Sequence, residues 1–254
     1  MDSGYSVNTA EMWDYFFEDA ETVYDIELYL NLLSDQQKST GTTLDVGCGT
    51  GRFSLPLHQQ GHKVVGIDSS EPMLDIFKSK VQNIDTHPEL VHTAFEDFAP
   101  SHNFDGIVAF YLMQFMLDRT EAITFFKKAH SLLAPDGVFL FSVYNSLGIW
   151  NPAGWSLTHT RELEEGFARA EYVFNPIDNL KGIVKAADYR VLRTNGSYAI
   201  DYYTKLIRLY SLAEYKIMLQ EAGFNNIQVF VDNKAEPITD ADQYGIKLYI
   251  AARK

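Results

Sequence analysis

Three glycines and two carboxylates carry the most readable chemistry in this chain. Gly47, Gly49 and Gly51 lie in "TTLDVGCGTGRFSLPL", directly after a short apolar run. A glycine loop at the end of a strand lets the backbone approach a bound ligand closely. The spacing is G-x-G-x-G, not the G-x-G-x-x-G of dinucleotide folds. Asp45, just ahead of the glycines, is the discriminating residue. Beside a pyrophosphate its carboxylate would cost on the order of a few kcal/mol at a partly screened 4 Å contact. Beside an ammonium group it would be favourable. Asp68 closes the next apolar run, "HKVVGID", where a carboxylate can accept hydrogen bonds from both hydroxyls of a ribose.

The elements around these residues must bring both carboxylates to one edge. Residues 11–33 read as helical, with Val23, Ile26, Leu30 and Leu33 on one stripe. "TTLDV" reads as a strand, "RFSLPLHQQG" as a helix closed by Gly61, and "SSEPMLDIFKSKV" as a helix with a hydroxyl N-cap and a proline in its first turn. Strands "PELVHTAF" and "FDGIVAF" follow. The helix "DRTEAITFFKKAHSLL" opens on Asp118 and Glu121 at capping-box spacing, "APDG" breaks the chain, and "VFLFSVY" is a buried strand. This alternation predicts a parallel sheet with right-handed crossovers.

After Asn145 the rhythm changes. Residues 146–210 lack helical periodicity, and two alternating runs meet at Asn195-Gly196, a strong hairpin signal. Helix "SLAEYKIMLQEAG" and strands "FNNIQVFVD" and "QYGIKLYIAARK" resume the first pattern. The expected organisation is a ligand-binding α/β domain of residues 1–145 and 211–254 with an N-terminal helical cover, interrupted by an antiparallel insertion at 146–210.

Composition narrows the partners. The chain has 254 residues, 46% of them apolar, with 21 Lys plus Arg against 34 Asp plus Glu. A net charge of -13 would repel a phosphate backbone, so no nucleic-acid partner is expected. No run approaches the roughly 18 to 20 apolar residues of a membrane span, so no membrane partner is expected either. The opening residues carry no readable export or transit signal, and Cys48 is the single cysteine, which together suggest a reducing cytoplasm. His58 and His62 stand four apart, but Gly61 intervenes where the helix should end, and no metal site is expected.

A ligand with a ribose and an amino-acid ammonium but no phosphate is S-adenosylmethionine. On "LDVGCGTGRFSLPL", "VVGIDSSEPML" and "LLAPDGVFLFSV" the chain resembles the class I S-adenosylmethionine-dependent methyltransferases. The likeness spans residues 24–145 and resumes at "YSLAEYKIMLQEAGF", a return helix common in small-molecule members. It implies a doubly wound, mostly parallel seven-stranded sheet of Rossmann-like type, here with the antiparallel insertion. It also implies that the Gly47, Cys48 and Gly49 backbone lies against the methionine end with Asp45 facing the ammonium. Asp68 would take the ribose, and Ser69 and Met73 would flank the adenine. One departure is Ala94, where the family usually has an acidic residue. Phe95 backbone, Glu96 or Asp97 would then serve the adenine amino group.

A sulfonium methyl is already activated, so alignment of the acceptor and exclusion of water carry most of the catalysis. No catalytic residue is assigned. Ligands of open α/β sheets sit at the strand ends, which selects Phe110 for the cofactor, and Tyr111, Gln114, Tyr144, Asn145, Trp150 and Trp155 for a small-molecule acceptor. Tyr5, Trp13 and Tyr15 are candidates to cover the cofactor. In the hairpin, alternation puts Tyr198, Ile200, Tyr202 and Leu206 on one face and Asp201, Tyr203 and Lys205 on the other. Tyr198 and Tyr202 facing inward would form an aromatic roof. Arg208 would neutralise an acceptor carboxylate or make a surface ion pair. The expected reaction is methylation of a nitrogen or oxygen, in a monomer or homodimer. Cofactor binding without turnover is the alternative, and a nicotinamide oxidoreductase is disfavoured by Asp45.

Overall fold

The run after Gly41 forms β1 (Thr42–Val46), which leads through the glycine loop into α3 (Ser54–Gln59). Two helices precede it, α1 (Val7–Met12) and α2 (Asp19–Ser34), joined through a single 3-10 turn at Trp13–Phe16. The computed structural model describes residues 7–16, 19–34, 41–146, 151, 153–231, 237–238 and 245–254. Strand β2 (Lys63–Asp68), helix α4 (Glu71–Val81), strands β3 (Glu89–His92) and β4 (Phe104–Ala109), helix α5 (Arg119–Leu132) and strand β5 (Leu133–Tyr144) follow. Asp118 caps α5 by accepting from the Thr120 amide at 2.7 Å.

Next come four long strands, β6 (Trp155–Leu163), β7 (Gly166–Asp178), β8 (Ile183–Thr194) and β9 (Ser197–Arg208). Helix α6 (Leu212–Glu221) starts on a complete capping box of Ser211 and Glu214, and strands β10 (Asn225–Val231) and β11 (Lys247–Arg253) end the chain. The first sheet has the order β10-β11-β5-β4-β1-β2-β3, parallel from β5 to β3 and antiparallel where β11 meets β5 and β10. Strand order reverses between β1 and β4, so a crevice opens at their carboxyl ends. Both faces of this sheet are covered. Phe139 and Phe141 of β5 pack with Phe126 of α5 and Tyr215 of α6, while Val138 and Leu140 pack toward Ile26, Tyr29 and Leu57 of α2 and α3. Continuous burial of β5 explains why "VFLFSV" is apolar without alternation.

Three local expectations are corrected. Helix α2 begins at Asp19, and its inward stripe is Ile26, Tyr29 and Leu33; Val23 is 52% exposed. Asp25, fully buried and paired with Arg52 at 2.7 Å, holds an inward position that an apolar count passes over. The strand expected over 88–95 ends at His92, and the following residues turn toward the crevice. The insertion is a four-stranded antiparallel sheet, β6-β7-β8-β9, not a single hairpin. Asn195 (φ 50°) and Gly196 (φ 77°) do turn the β8–β9 hairpin as their types require. The inward side of β6 includes His159 and Arg161, which breaks its apolar alternation in the sequence.

The hairpin's orientation is also corrected. Tyr198, Ile200, Tyr202 and Leu206 look outward, and Asp201, Tyr203 and Lys205 look toward the first sheet. No inward aromatic roof of Tyr198 and Tyr202 exists; Tyr202 instead packs on Tyr189 across the outer face at 4.5 Å. Of the inward residues, Asp201 accepts from the Thr9 hydroxyl and Lys205 lies 4.9 Å over the Phe115 ring.

Candidate active site

The loop between β1 and α3 is held by β2. The amides of Gly47 and Cys48 both donate to the Ile67 carbonyl at 2.8 and 3.0 Å, and the Gly49 amide donates to Asp68 Oδ2 at 2.8 Å. Asp68 Oδ1 accepts from the Ser70 amide at 2.8 Å. The carboxylate therefore locks the loop to the start of α4 while it borders the crevice. Gly51 has φ 84°, and a Cβ there would lie 2.4 Å from the Phe77 ring, so neither conformation nor space admits a side chain. Gly49 (φ 54°) has nothing within 4 Å of its missing Cβ, which leaves its backbone open to a ligand.

The crevice encloses about 950 Å³. Of the residues assigned to the cofactor, Asp45, Gly47, Cys48 and Gly49 at the loop, Asp68, Ser69 and Met73 after β2, and Phe95, Glu96 and Phe110 beyond border it, and Asp97 does not. Ala94 borders it too, and Glu96 and Asp97 are both exposed. Asp45 is buried and accepts from Ser54 Oγ at 2.7 Å. Burial pushes its pKa up to about 7, against the opposing pull of the Ser54 hydroxyl and the Arg52 charge. A buried carboxyl near neutrality gains from a cation beside it. That is the property a cofactor ammonium would meet. Burial also raises Asp68, offset by the Ser70 and Gly49 amides. Burial, with Asp45 and Asp68 adding, pushes the Cys48 thiol well up, so it is no thiolate nucleophile. His58 Nδ1 meets the His62 carbonyl at 3.1 Å.

A second cavity of about 540 Å³ lies between the carboxyl ends of β4 and β5 and the inner face of the four-stranded sheet. It shares Trp13, Tyr111, Phe115, Tyr203 and Lys205 with the crevice. Tyr111 sits at φ 55°, a left-handed conformation uncommon outside glycine. Its amide donates to Ser142 Oγ at 3.0 Å and its carbonyl accepts from Gln114 Nε2 at 2.8 Å. Its hydroxyl donates to Glu21. Lys247 Nζ lies 2.7 Å from Glu21 Oε1 and 3.0 Å from the Tyr111 oxygen. Burial opposes ionisation of Glu21, yet the charges of Lys247 and Arg52 hold its pKa below the ordinary value. Burial and the Glu21 charge raise the Tyr111 hydroxyl well up, so it stays protonated.

The acceptor residues expected from sequence separate into groups. Tyr111, Gln114 and Tyr144 border the second cavity. Trp13 borders both, whereas Tyr15 is exposed. Trp155 stacks on Phe174 at 4.9 Å, and Asn145 Nδ2 donates to the Gly245 carbonyl at 3.2 Å. Trp150 and Tyr5 lie outside the described residues. Tyr202 faces solvent. Arg208 borders neither cavity: it donates to the Leu117 carbonyl at 3.1 Å, pairs with Glu214 at 3.5 Å and lies 4.1 Å over the Tyr210 ring. Those contacts tie β9 to α6, so the acceptor-carboxylate role is withdrawn from it. Glu21, His159, Asp188, Arg190 and Lys247 also border the second cavity and carry no motif that would have singled them out.

The methyltransferase-domain family model matches residues 16–229, most of the chain. The chain belongs to the class I S-adenosylmethionine-dependent methyltransferases. This methyltransferase is 26% identical over 210 residues to the cypemycin N-terminal methyltransferase of Streptomyces sp, 78% of either chain. The solved CcbJ methyltransferase of Streptomyces caelestis shares its fold with a TM-score of 0.76 at 23% identity, covering 96% of this chain and 95% of that one. CalS10, an amino pentose methyltransferase of Micromonospora echinaspora solved with S-adenosylmethionine bound, gives 0.73 at 14% identity over 100% and 99% of the two chains. Among the described residues of the methyltransferase, no helix is long and apolar enough to cross a membrane.

Proposed function

We propose that this methyltransferase alkylates a nitrogen or oxygen of a small-molecule acceptor seated in the second cavity, with cofactor in the crevice. The observation that carries the reading is the junction of the two cavities at Trp13, Tyr111, Phe115, Tyr203 and Lys205. An acceptor there would lie beside the crevice and against the inner face of the four-stranded sheet. When bound, S-adenosylmethionine supplies a sulfonium-activated methyl, the new bond forming to the acceptor lone pair while the sulfur–carbon electron pair stays on sulfur. Asp45 would face the ammonium and Asp68 the ribose. Tyr111, pinned by Ser142, Gln114, Glu21 and Lys247, gives the junction a rigid wall, as alignment requires.

Proton removal needs a separate group where the acceptor begins protonated. Glu21 is committed to Lys247 and Tyr111. His159 has a buried Nε2 without a hydrogen-bond partner among the described residues and is the candidate base. The named acceptor of CalS10 is an amino pentose and that of the cypemycin enzyme is an N-terminus. Both support a discrete acceptor rather than a nucleic acid. The test is S-adenosylhomocysteine release with S-adenosylmethionine and a panel of amines, phenols and hydroxy acids. Acceptor-dependent release supports the reading; tight cofactor binding with no release across the panel would make the protein a cofactor-binding sensor.

A further inference from the structure

Arg190 is the cation most deeply set in the second cavity, with its side chain only 3% exposed. Asp188, two residues back on the same face of β8, accepts from Nε at 3.1 Å and from Nη2 at 2.7 Å, and Nη2 also reaches the Tyr203 hydroxyl at 3.1 Å. Aromatic rings close around the guanidinium, Trp13 at 4.5 Å and Phe16 at 5.0 Å. The Tyr172 hydroxyl also interacts with this guanidinium, and Nη1 remains buried without a hydrogen bond of ordinary geometry among the described residues. Guanidinium groups only donate, so whatever completes this one is an acceptor. A buried, unsatisfied, charged donor is costly to leave unmet.

The charge around it says which kind of acceptor. Among the described residues bordering this cavity, the cations are Arg190, Lys205 and Lys247 and the carboxylates are Glu21 and Asp188, an excess of one positive charge in a chain of net charge -13. Its remaining walls are largely rings, including Tyr24, Tyr144, Tyr172 and Phe174. We propose that the acceptor is a small aromatic molecule bearing a carboxylate, which the free Nη1 of Arg190 holds while its ring stacks among the cavity's aromatic side chains. This rests on the methyl-transfer reading for its word "acceptor", but the anion site is testable without turnover. A cationic amino acceptor would be repelled at the same spot.

Calorimetry on the full chain saturated with S-adenosylhomocysteine tests it, with benzoate, benzamide and benzylamine as probes of matched shape. Benzoate is expected to bind at least about 10-fold more tightly than benzamide, the scale of one charge-assisted hydrogen bond, and benzylamine weakest. The paired variant Asp188→Asn/Arg190→Gln, which removes both charges together, should abolish the preference and leave S-adenosylhomocysteine affinity within about 2-fold. Arg190→Lys is the second variant should the pair fail to fold; it should weaken benzoate while keeping it ahead of benzamide. Equal binding of benzoate and benzamide, no measurable benzoate binding, or a preference that survives the paired variant overturns the proposal. Failure of S-adenosylhomocysteine to bind the wild-type chain would instead defeat the methyl-transfer reading itself.

Discussion

The crevice and the second cavity adjoin, yet they are built in different ways. The crevice has a backbone-built end, a left-handed glycine loop, two strand tips and the amides that Asp68 gathers, all from residues 45–70, and side chains from 93–128 and 203–206 complete it. The second cavity has no such backbone loop among its lining residues, and its charged groups come from Glu21, Asp188, Arg190, Lys205 and Lys247, spread over most of the chain. A backbone site tolerates little change but is defined locally. A side-chain site can be rebuilt for a new acceptor without disturbing the loop beside it, which is how one fold serves many substrates.

The sharpest way to break that contrast is at Gly51. Gly51→Val places a branched side chain at positive φ against Phe77 and should weaken S-adenosylhomocysteine binding by about 100-fold or more, with a lowered Tm, from the summed left-handed strain and overpacking. Calorimetry beside a thermal melt checks it.

Asp45→Asn is next, and tests whether a charge is needed. Loss of one charge-assisted contact predicts about a 10- to 100-fold weaker S-adenosylmethionine affinity. The wild-type chain should bind S-adenosylmethionine more tightly as pH rises through about 7, because Asp45 must lose its proton to meet the ammonium, and the variant should show a flatter profile. Without ligand the sign reverses. The folded pKa lies above the ordinary value, so the native chain holds the extra proton, and Asp45's contribution to stability falls as pH rises from 3.8 through about 7. Chemical denaturation at several pH values reads this out.

Lys247→Met addresses the cavity side alone. It removes the cation hydrogen-bonded to Glu21 and the Tyr111 hydroxyl, leaving only the more distant Arg52 charge, and should cost about 1–3 kcal/mol of stability and lower turnover, with S-adenosylhomocysteine affinity nearly unchanged. Equal damage to both sites would show them to be one energetic unit. The smallest effect is expected from Tyr202→Ala. Its side chain is 52% exposed on the outer face, so stability should shift by no more than about 0.5 kcal/mol and turnover should be unchanged. A clear loss of turnover would return Tyr202 to the site.

Legibility in the sequence followed the same division. The alternation of strands and helices, the hairpin at Asn195-Gly196 and the Asp118 cap of α5 are each specified by short stretches with strong local preferences and lie where those preferences put them, whereas Ser70, at the N-cap of α4, makes no capping hydrogen bond with its hydroxyl. Asp25 is not legible in the sequence because a buried carboxylate paired with Arg52 looks, one residue at a time, like a solvated charge. Tyr202 and Tyr203 show the other limit. Alternation separates the two faces of a strand but does not say which looks inward, and the rule that apolar side chains point inward fails where the inner side lines a polar cavity.

What the amino-acid order determined by itself was therefore the α/β framework and the glycine loop and carboxylates that border the crevice. A strand, a glycine turn and a carboxylate at each of two strand tips lie within 24 consecutive positions, 45–68. Only the tertiary structure decided the second cavity, because Glu21, Arg190 and Lys247 meet there through the docking of α2, β8 and β11. The energy that joins them depends on burial and charge balance, and neither quantity exists until the chain has folded.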